Sequence, residues 1–329
     1  MASALTISPP RRAASESAAA DLPLAVGPAM TSASDIHNRL SRMPHILTIV
    51  SPRDLTTPQI AAFTQLGGHS VYELGPDAAD IRFAEAPVWD EVAQLATEHG
   101  FDFAIHDEAD VREKKFLQAD MDSTIIEQEC LDELADLAGV GAEVAAVTER
   151  AMRGELDFEA ALNERVARLE GLPVTACEDV LRERLTLSPG ARTLIASMNA
   201  RGAKTVLVSG GFEIFVREIA RLCGFQAHHA NLLEISGDRL TGRVLRPILG
   251  REAKADILNR EVTALGLSHA ETMALGDGAN DLGMIEASGL GIAYKAKPVT
   301  AAAADAAINH TGLHAALYFQ GIRAEEFIA

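Results

Sequence analysis

Two aspartates, Asp120 and Asp122, stand two apart in the stretch ADMDST, at the end of a short apolar run. In an extended chain residues i and i+2 project to the same side, so these carboxylates face one direction. Like charges that close repel unless a cation or a shared proton relieves them. Alone such a pair is a weak signal, and three further features give it weight. VLVSGGF runs a strand into Ser209, Gly210 and Gly211 before a helix, setting a hydroxyl beside unobstructed N–H groups that can cradle an anion. REAKADIL places one cation, Lys254, near a helix start. ALGDGANDLGM sets Asp277 and Asp281 around Gly278 and Asn280. Carboxylate oxygens are the ligands Mg²⁺ prefers, with waters and a substrate phosphate completing its shell. Carboxylates, a hydroxyl, amide donors and one lysine together describe phosphoryl transfer, with cations neutralising the phosphoryl oxygens while a carboxylate attacks phosphorus. No Gly-x-x-x-x-Gly-Lys-Ser/Thr loop is present, so this is not a P-loop device.

The elements that must position these residues alternate. FLQAD, KTVLVSG, ETMALGD and LGIAY read as short apolar strands separated by helices, which predicts a parallel sheet covered on both faces. In such sheets ligands bind at the carboxyl ends of the strands, where the marked residues fall. Lys114, Lys115 and Gln118 interrupt the first of these runs and predict a strand that is short or edge-like at its start. FEIFVREIARLCG carries Phe215, Ile219 and Leu222 on one helical face. In ELDFEAALNERVARLEGL, Asp157 is placed to cap a helix whose stripe is Phe158, Leu162, Val166 and Leu169, with Arg165 at the stripe's edge. LLEISGDRLTGRVL predicts a hairpin with a Gly-Asp turn, a small flap near Lys254.

In order and spacing, the Asp-x-Asp-Ser-Thr, the strand-borne Ser, the isolated Lys and Gly-Asp-Gly-x-Asn-Asp resemble the motifs of the haloacid dehalogenase (HAD) superfamily. The stretches DMDSTIIEQECLDELADLAG, ERAMRGELDFEAALNERVARLEGL and GDGANDLGMIEASGLGIAYKAKP narrow the likeness to its phosphoserine phosphatase family, over roughly Lys114 to Gly321. The resemblance implies a Rossmann-like parallel sheet with a helical cap over about 129–187. It also implies Mg²⁺-dependent hydrolysis of O-phospho-L-serine through an aspartyl-phosphate, the last step of serine synthesis. On that pattern Asp120 is the nucleophile and Asp122 the acid and base. Mg²⁺ is held by Asp120, the main-chain carbonyl of Asp122 and Asp277, with Asp281 supporting from behind. Ser209, Gly210, Lys254 and Asn280 bind the phosphoryl group, Glu129 the substrate ammonium and Arg165 its carboxylate. Met152 and Phe158 line the pocket or belong to the cap core. Two alternatives stay open: Asp281 as a helix N-cap, and Arg165 paired with an acid such as Glu129 or Glu164.

Ahead of this region HILTIVS, TTPQIAAFTQLGG, HSVYEL, ADIRFAE, VWDEVAQLATEHG and FDFAIHDE read βαββαβ over about 43–110, with Val88, Val92 and Leu95 on the second helix's apolar stripe. That order resembles the ACT domain, a ferredoxin-like module, either structural, dimerising or amino-acid sensing. Residues 1–42 are rich in Ala, Ser and Pro and read as a flexible extension. The full class is therefore α/β, with catalytic residues 111–329 behind an ACT-like unit. A formal charge of −18 argues against nucleic acid as the main partner. No run reaches membrane-spanning length and no secretory signal opens the chain, and three scattered cysteines fit a cytoplasmic protein. The pair His228-His229 lacks companions at metal-ligand spacing. Two other readings compete with the phosphatase: a HAD enzyme passing phosphate to another alcohol, and an amino-acid sensor with a vestigial catalytic half.

Overall fold

The computed structural model describes residues 44–329, so the expected extension over 1–42 lies outside the described residues. The chain opens with β1 (His45–Val50), α1 (Thr57–Thr64), β2 (Gly68–Gly75), β3 (Ala78–Phe83), α2 (Trp89–His99) and β4 (Asp102–Asp107). The four strands are antiparallel in the order β2-β3-β1-β4. Leu47, Ile49, Ile81 and Phe83 from the strands meet Phe63 of α1 and Val92 and Ala96 of α2 in one closed core. Both helices are framed by local chemistry. The Thr56 N–H donates to the Gln59 side chain at 2.9 Å, and α2 stops at Gly100 with φ 67°. Val88, expected on the α2 stripe, is 57% exposed because it stands before the first turn and outside the packed face.

The remaining strands are β5 (Phe116–Ala119), β6 (Lys204–Phe212), β7 (Ala227–Ser236), β8 (Arg239–Leu245), β9 (Thr272–Gly276), β10 (Gly291–Tyr294) and β11 (Ala306–Ile308). β11, β10, β9, β5, β6 and β7 run parallel, as the alternation predicts. β4 then pairs antiparallel with β11, so the described strands form a single sheet in the order β2-β3-β1-β4-β11-β10-β9-β5-β6-β7-β8. The edge-like reading of β5 is wrong. It lies between β9 and β6, deep in the sheet, and its polar residues serve buried carbonyls. Gln118, fully buried, donates to the Lys254 carbonyl at 2.8 Å, and the Lys114 ammonium donates to the Val111 and Ala270 carbonyls at 2.5 and 2.7 Å.

Four helices follow β5: α3 (Cys130–Leu137), α4 (Gly141–Met152), α5 (Phe158–Ala167) and α6 (Thr175–Glu183). The chain leaves for them and returns at one narrow neck, an antiparallel bridge between Ile126 and Leu187. Asp157 caps α5 by accepting from the Ala160 N–H at 2.7 Å. Leu162, Val166 and Leu169 are buried as the stripe predicts, but Phe158 is 39% exposed and belongs to no core. The sheet is flanked by α7 (Ala191–Ala200), α8 (Glu213–Cys223), α9 (Arg251–Leu265), α10 (Leu282–Ala287), α11 (Pro298–Ala303) and α12 (Ala315–Phe319). On α8 the buried stripe steps from Phe215 and Ile219 to Cys223, at i+4, and leaves Leu222 37% exposed, contrary to the expected face. The β7–β8 hairpin forms as predicted, but its far end serves the four-helix unit, not Lys254. Leu240 N–H donates to Leu172 O at 2.9 Å and Val174 N–H to Asp238 O at 2.8 Å.

Candidate active site

Because β5, β6 and β9 are parallel neighbours, their carboxyl ends open at one place. Asp120 leaves β5 there, and the chain folds at once into a tight turn over Met121–Ile125. Ser123 sits in the left-handed region, φ 55°, where a side chain is uncommon. The turn is held by two bonds, Ser123 N–H to Gln128 O at 3.2 Å and Ser123 Oγ to Glu129 Oε1 at 2.7 Å. It swings Asp122 toward β6, where its Oδ2 accepts from Ser209 Oγ and its Oδ1 from the Cys130 N–H, each at 2.9 Å. Ser209 Oγ in turn accepts the Gly211 N–H at 2.8 Å. A Cβ on Gly211 would stand 3.0 Å from both Asp122 Oδ2 and Ser209 Oγ, so a side chain there would push one of these oxygens aside by a few tenths of an ångström.

Lys254, 1% exposed, reaches from α9 to the same floor, 2.7 Å from Asp120 Oδ1 and 2.6 Å from Asp281 Oδ1. Asp281 stands at the N-cap position of α10 but makes no capping bond, so the helix-cap alternative fails. Its Oδ2 turns back and accepts from the Asp277 and Gly278 N–H groups at 3.1 and 3.0 Å, closing the turn after β9. Asn280 Nδ2 lies 3.5 Å from Asp120 Oδ2. The structure thus brings Asp120, Asp122, Ser209, Lys254, Asp277, Asn280 and Asp281 together, and all but Lys254, which α9 delivers, come from a strand end or the turn beyond it.

Three carboxylates, those of Asp120, Asp277 and Asp281, have oxygens within 4.8 Å of one another, against one ammonium. The imbalance shows in their acidity. Burial and then the Asp281 charge push Asp120 well above the ordinary carboxylate range, with Lys254 opposing. The same two causes raise Asp277 to about 6. Lys254 is held protonated: burial works against its charge, but Asp120 and Asp281 outweigh it. An all-oxygen set with surplus negative charge fits a divalent cation. Both Asp281 oxygens are held by bonds of 2.6 to 3.1 Å, whereas Asp120 Oδ2 has only the 3.5 Å contact with Asn280, so that oxygen and the Asp277 carboxylate are best placed to meet an ion. Among the described residues this aspartate group is the one set of three or more such side chains whose ligand atoms lie within 4.8 Å of one another, and His228 Nε2 faces Glu213 at 3.5 Å.

Above the floor, α5 and the start of α3 face the cleft. Reduced solvation, then the Asp122 charge, raise Glu129 to about 7. Arg165 Nε makes one long bond, 3.4 Å to the Ala161 carbonyl, and among the described residues no carboxylate lies within 4.0 Å of it. Glu164 bonds Arg150 at 2.7 Å instead, and Glu129 bonds Ser123, so the expected local pairing of Arg165 fails. Burial lowers the Arg165 guanidinium from its usual value, while Asp132, Glu129 and Asp122 answer its charge from a distance. Phe158 hangs over Gly210 and Gly250: a Cβ on Gly210 would be 3.3 Å from its ring, and one on Gly250 3.7 Å. The side chain of Met152 lies outside the described residues. Sequence reasoning missed Asn231, 1% exposed, whose amide bonds Gly210 and Leu249. Its one visible signal is a polar residue directly before the Leu232-Leu233 pair in the middle of β7.

Residues 118–286 match the family model of haloacid dehalogenase-like hydrolases. The chain is 41% identical over 244 residues to phosphoserine phosphatase SerB2 of Mycobacterium tuberculosis, a match covering 74% of this chain and 59% of that protein. It is 46% identical over 211 residues to a probable phosphoserine phosphatase of Schizosaccharomyces pombe, covering 64% of this chain and 70% of that one. In three dimensions it superposes on the unliganded probable phosphoserine phosphatase of Vibrio cholerae with a TM-score of 0.71 and 35% identity, over 85% of this chain and 89% of that one.

Proposed function

The chain belongs to the haloacid dehalogenase-like hydrolase family, and we propose that it hydrolyses O-phospho-L-serine to L-serine and phosphate, with Mg²⁺ as its metal. One observation carries the reading: an anion floor of Ser209, Gly210 and Lys254 beside Asp120 lies beneath a separated pair of opposite charges, Glu129 and Arg165. A phosphate ester that also bears an ammonium and a carboxylate matches all three. Its phosphoryl group docks on the floor with Asn280 beside it, the ammonium meets Glu129, and the carboxylate meets the unpaired Arg165 fork. The relatives named above carry the same substrate in their names.

Asp120 Oδ2 then attacks phosphorus, the bond from phosphorus to the serine oxygen breaks, and Asp122 delivers its proton to that oxygen. Asp122, now ionised, takes a proton from the water whose oxygen attacks the aspartyl-phosphate, and this releases phosphate and restores Asp120. Ser209 holds Asp122 in reach of both events by its 2.9 Å bond. Asp281 acts from behind by fixing Lys254 and the turn bearing Asp277. Asp120, Asp277 and the Asp122 carbonyl would hold Mg²⁺, which when bound would supply positive charge to keep Asp120 ionised and to polarise the phosphoryl oxygens. The four-helix unit entered at Ile126 and left at Leu187 is the cap that excludes water. Residues 44–107 form an ACT-like module suited to pairing two copies. The described residues hold no helix long and apolar enough to cross a membrane. All three cysteines are free and buried, which suits a reducing, cytoplasmic compartment, and the product, L-serine, puts the reaction at the end of serine synthesis.

The test is phosphate release from L-phosphoserine, phosphothreonine and a simple aryl phosphate, with Mg²⁺ and with chelator, for the unaltered chain and Asp120→Asn. Metal-dependent turnover that prefers phosphoserine and vanishes in the variant is the expected result. Turnover of the aryl phosphate alone keeps the chemistry and discards the substrate. Tight serine binding without any turnover moves the sensor reading to the front.

A further inference from the structure

The root of the β7–β8 hairpin carries a buried amide that none of the catalytic roles uses. Asn231, the partner of Phe212 across β6 and β7, is 1% exposed and makes three bonds. Its Nδ2 donates to the Gly210 carbonyl at 2.8 Å and to the Leu249 carbonyl at 3.2 Å, and its Oδ1 accepts the Leu249 N–H at 2.6 Å. Each bond falls at a place that matters. The peptide between Gly210 and Gly211 is gripped on both sides, its carbonyl by Asn231 and its N–H by Ser209 Oγ, which itself donates to Asp122. Leu249 directly precedes Gly250, where α9 begins, and α9 delivers Lys254 to Asp120. A single side chain thus ties the loop that carries one half of the anion floor to the helix that carries the other.

We propose that Asn231 is a positioning residue for phosphoryl binding, setting the Gly210–Gly211 peptide and the entry of α9 in register so that Ser209 and Lys254 converge on one phosphoryl group. A glycine pair and a helix start are pliable on their own, and a mutual shift of a few tenths of an ångström weakens every bond the floor makes. Asn suits this place because it both donates and accepts, which the two carbonyls and one N–H around it demand. Aspartate of the same shape would turn a carboxylate oxygen toward the Gly210 and Leu249 carbonyls, and leucine would leave all three groups unpartnered.

The inference rests on the phosphoryl-transfer reading but not on the serine half of the substrate, so it is tested with an aryl phosphate as well as phosphoserine. Steady-state kinetics of Asn231→Asp and Asn231→Ala, with inhibition by inorganic phosphate, give the readout. The expected result is a rise of about ten-fold in KM for both esters, a matching loss of phosphate inhibition and a smaller change in kcat. Lower thermal stability with KM and phosphate inhibition unchanged would reduce Asn231 to a scaffold residue and overturn the proposal. A change confined to phosphoserine would also overturn it, because it would place the residue in serine recognition through the cap. If neither variant folds, hydrogen exchange of the unaltered chain decides: saturating phosphate slows the Leu249 and Gly211 amides together if Asn231 links them, and unchanged exchange at Leu249 refutes the link. Absence of turnover with either ester in the unaltered chain would instead strike the functional reading, while phosphate binding and amide exchange would still judge Asn231.

Discussion

Arg112 and Lys254 are both cations sunk into the same sheet, and they are finished differently. Arg112, between β4 and β5, donates to Asp80 at 2.6 and 3.1 Å, to Thr48 at 3.0 Å and to the Tyr318 and Phe319 carbonyls at 3.3 Å. One guanidinium meets one carboxylate, and its other bonds go to neutral acceptors. Nearby, Asp102 is saturated in the same way by the Asn309, His310 and Thr311 N–H groups and the Thr311 hydroxyl. Lys254 faces two carboxylates with a third within reach, and the group stays short of positive charge. The comparison teaches where to look for chemistry: burial of charge is common to both places, but only the incompletely answered cluster opens on a cleft.

Removing each cation sharpens that contrast most. Lys254→Met leaves Asp120 and Asp281 buried against each other and takes a donor from the phosphoryl floor, so we expect a fall of about a thousand-fold or more in turnover. Arg112→Met should cost on the order of 3 kcal/mol of stability by stranding Asp80, while the folded fraction keeps its activity. Parallel urea denaturation and phosphate-release assays check both. Equal activity losses at equal folded fraction would break the division between the site and the joint at which Arg112 ties β1 and β3 to α12.

Arg165 extends the contrast to the cap. Its charge has no carboxylate partner within 4.0 Å among the described residues, which is costly unless a ligand supplies one. Arg165→Ala should raise KM for phosphoserine about a hundred-fold and spare a small aryl phosphate, which has no carboxylate to hold. Equal damage to both substrates would remove the clamp role. Set beside Asn231, whose loss should affect both esters alike, the two variants separate recognition of the amino acid from recognition of the phosphoryl group.

The floor was legible in the sequence because its residues sit at strand ends, where short motifs and local geometry travel together. Asp120, Ser209 and Asp277 could be placed from three apolar runs and the turns that follow them. Polar residues inside those runs misled: Gln118 reads as an interruption, yet it is buried because the Lys254 carbonyl needs a donor there. Asn231 and Arg112 escaped for the same reason, since a buried polar side chain declares itself through partners distant in the chain. Phe158 fits the helical stripe by spacing, but the first turn of α5 projects past the cap core and over Gly210. The merging of two units into one sheet through β4 and β11 rests on two residue pairs, Ala104 with Ala306 and Phe103 with Ala307, and no periodicity announces such a contact.

The smallest expected effect tests the joint from its acid side. Asp77, in the turn between β2 and β3, accepts from the Tyr318 hydroxyl at 2.5 Å and lies 3.8 Å from His314 Nε2. Burial alone would raise its pKa, but bonds from His314 and Tyr318 hold it below the ordinary 3.8. A carboxyl depressed on folding contributes stability that is complete above its unfolded value and is lost as pH falls through the folded one. The joint should therefore weaken only in acid, below about pH 4, by roughly 1 kcal/mol or less for a group this close to solvent. Urea midpoints from pH 7 to pH 3 should fall less steeply for Asp77→Asn than for the unaltered chain, with the pH profile of turnover the same in both. A shift in that activity profile instead would mean that charge at the joint reaches the site, along the β11–β10 edge that leads, through the Lys297 N–H on the Asp277 carbonyl, to the aspartates themselves.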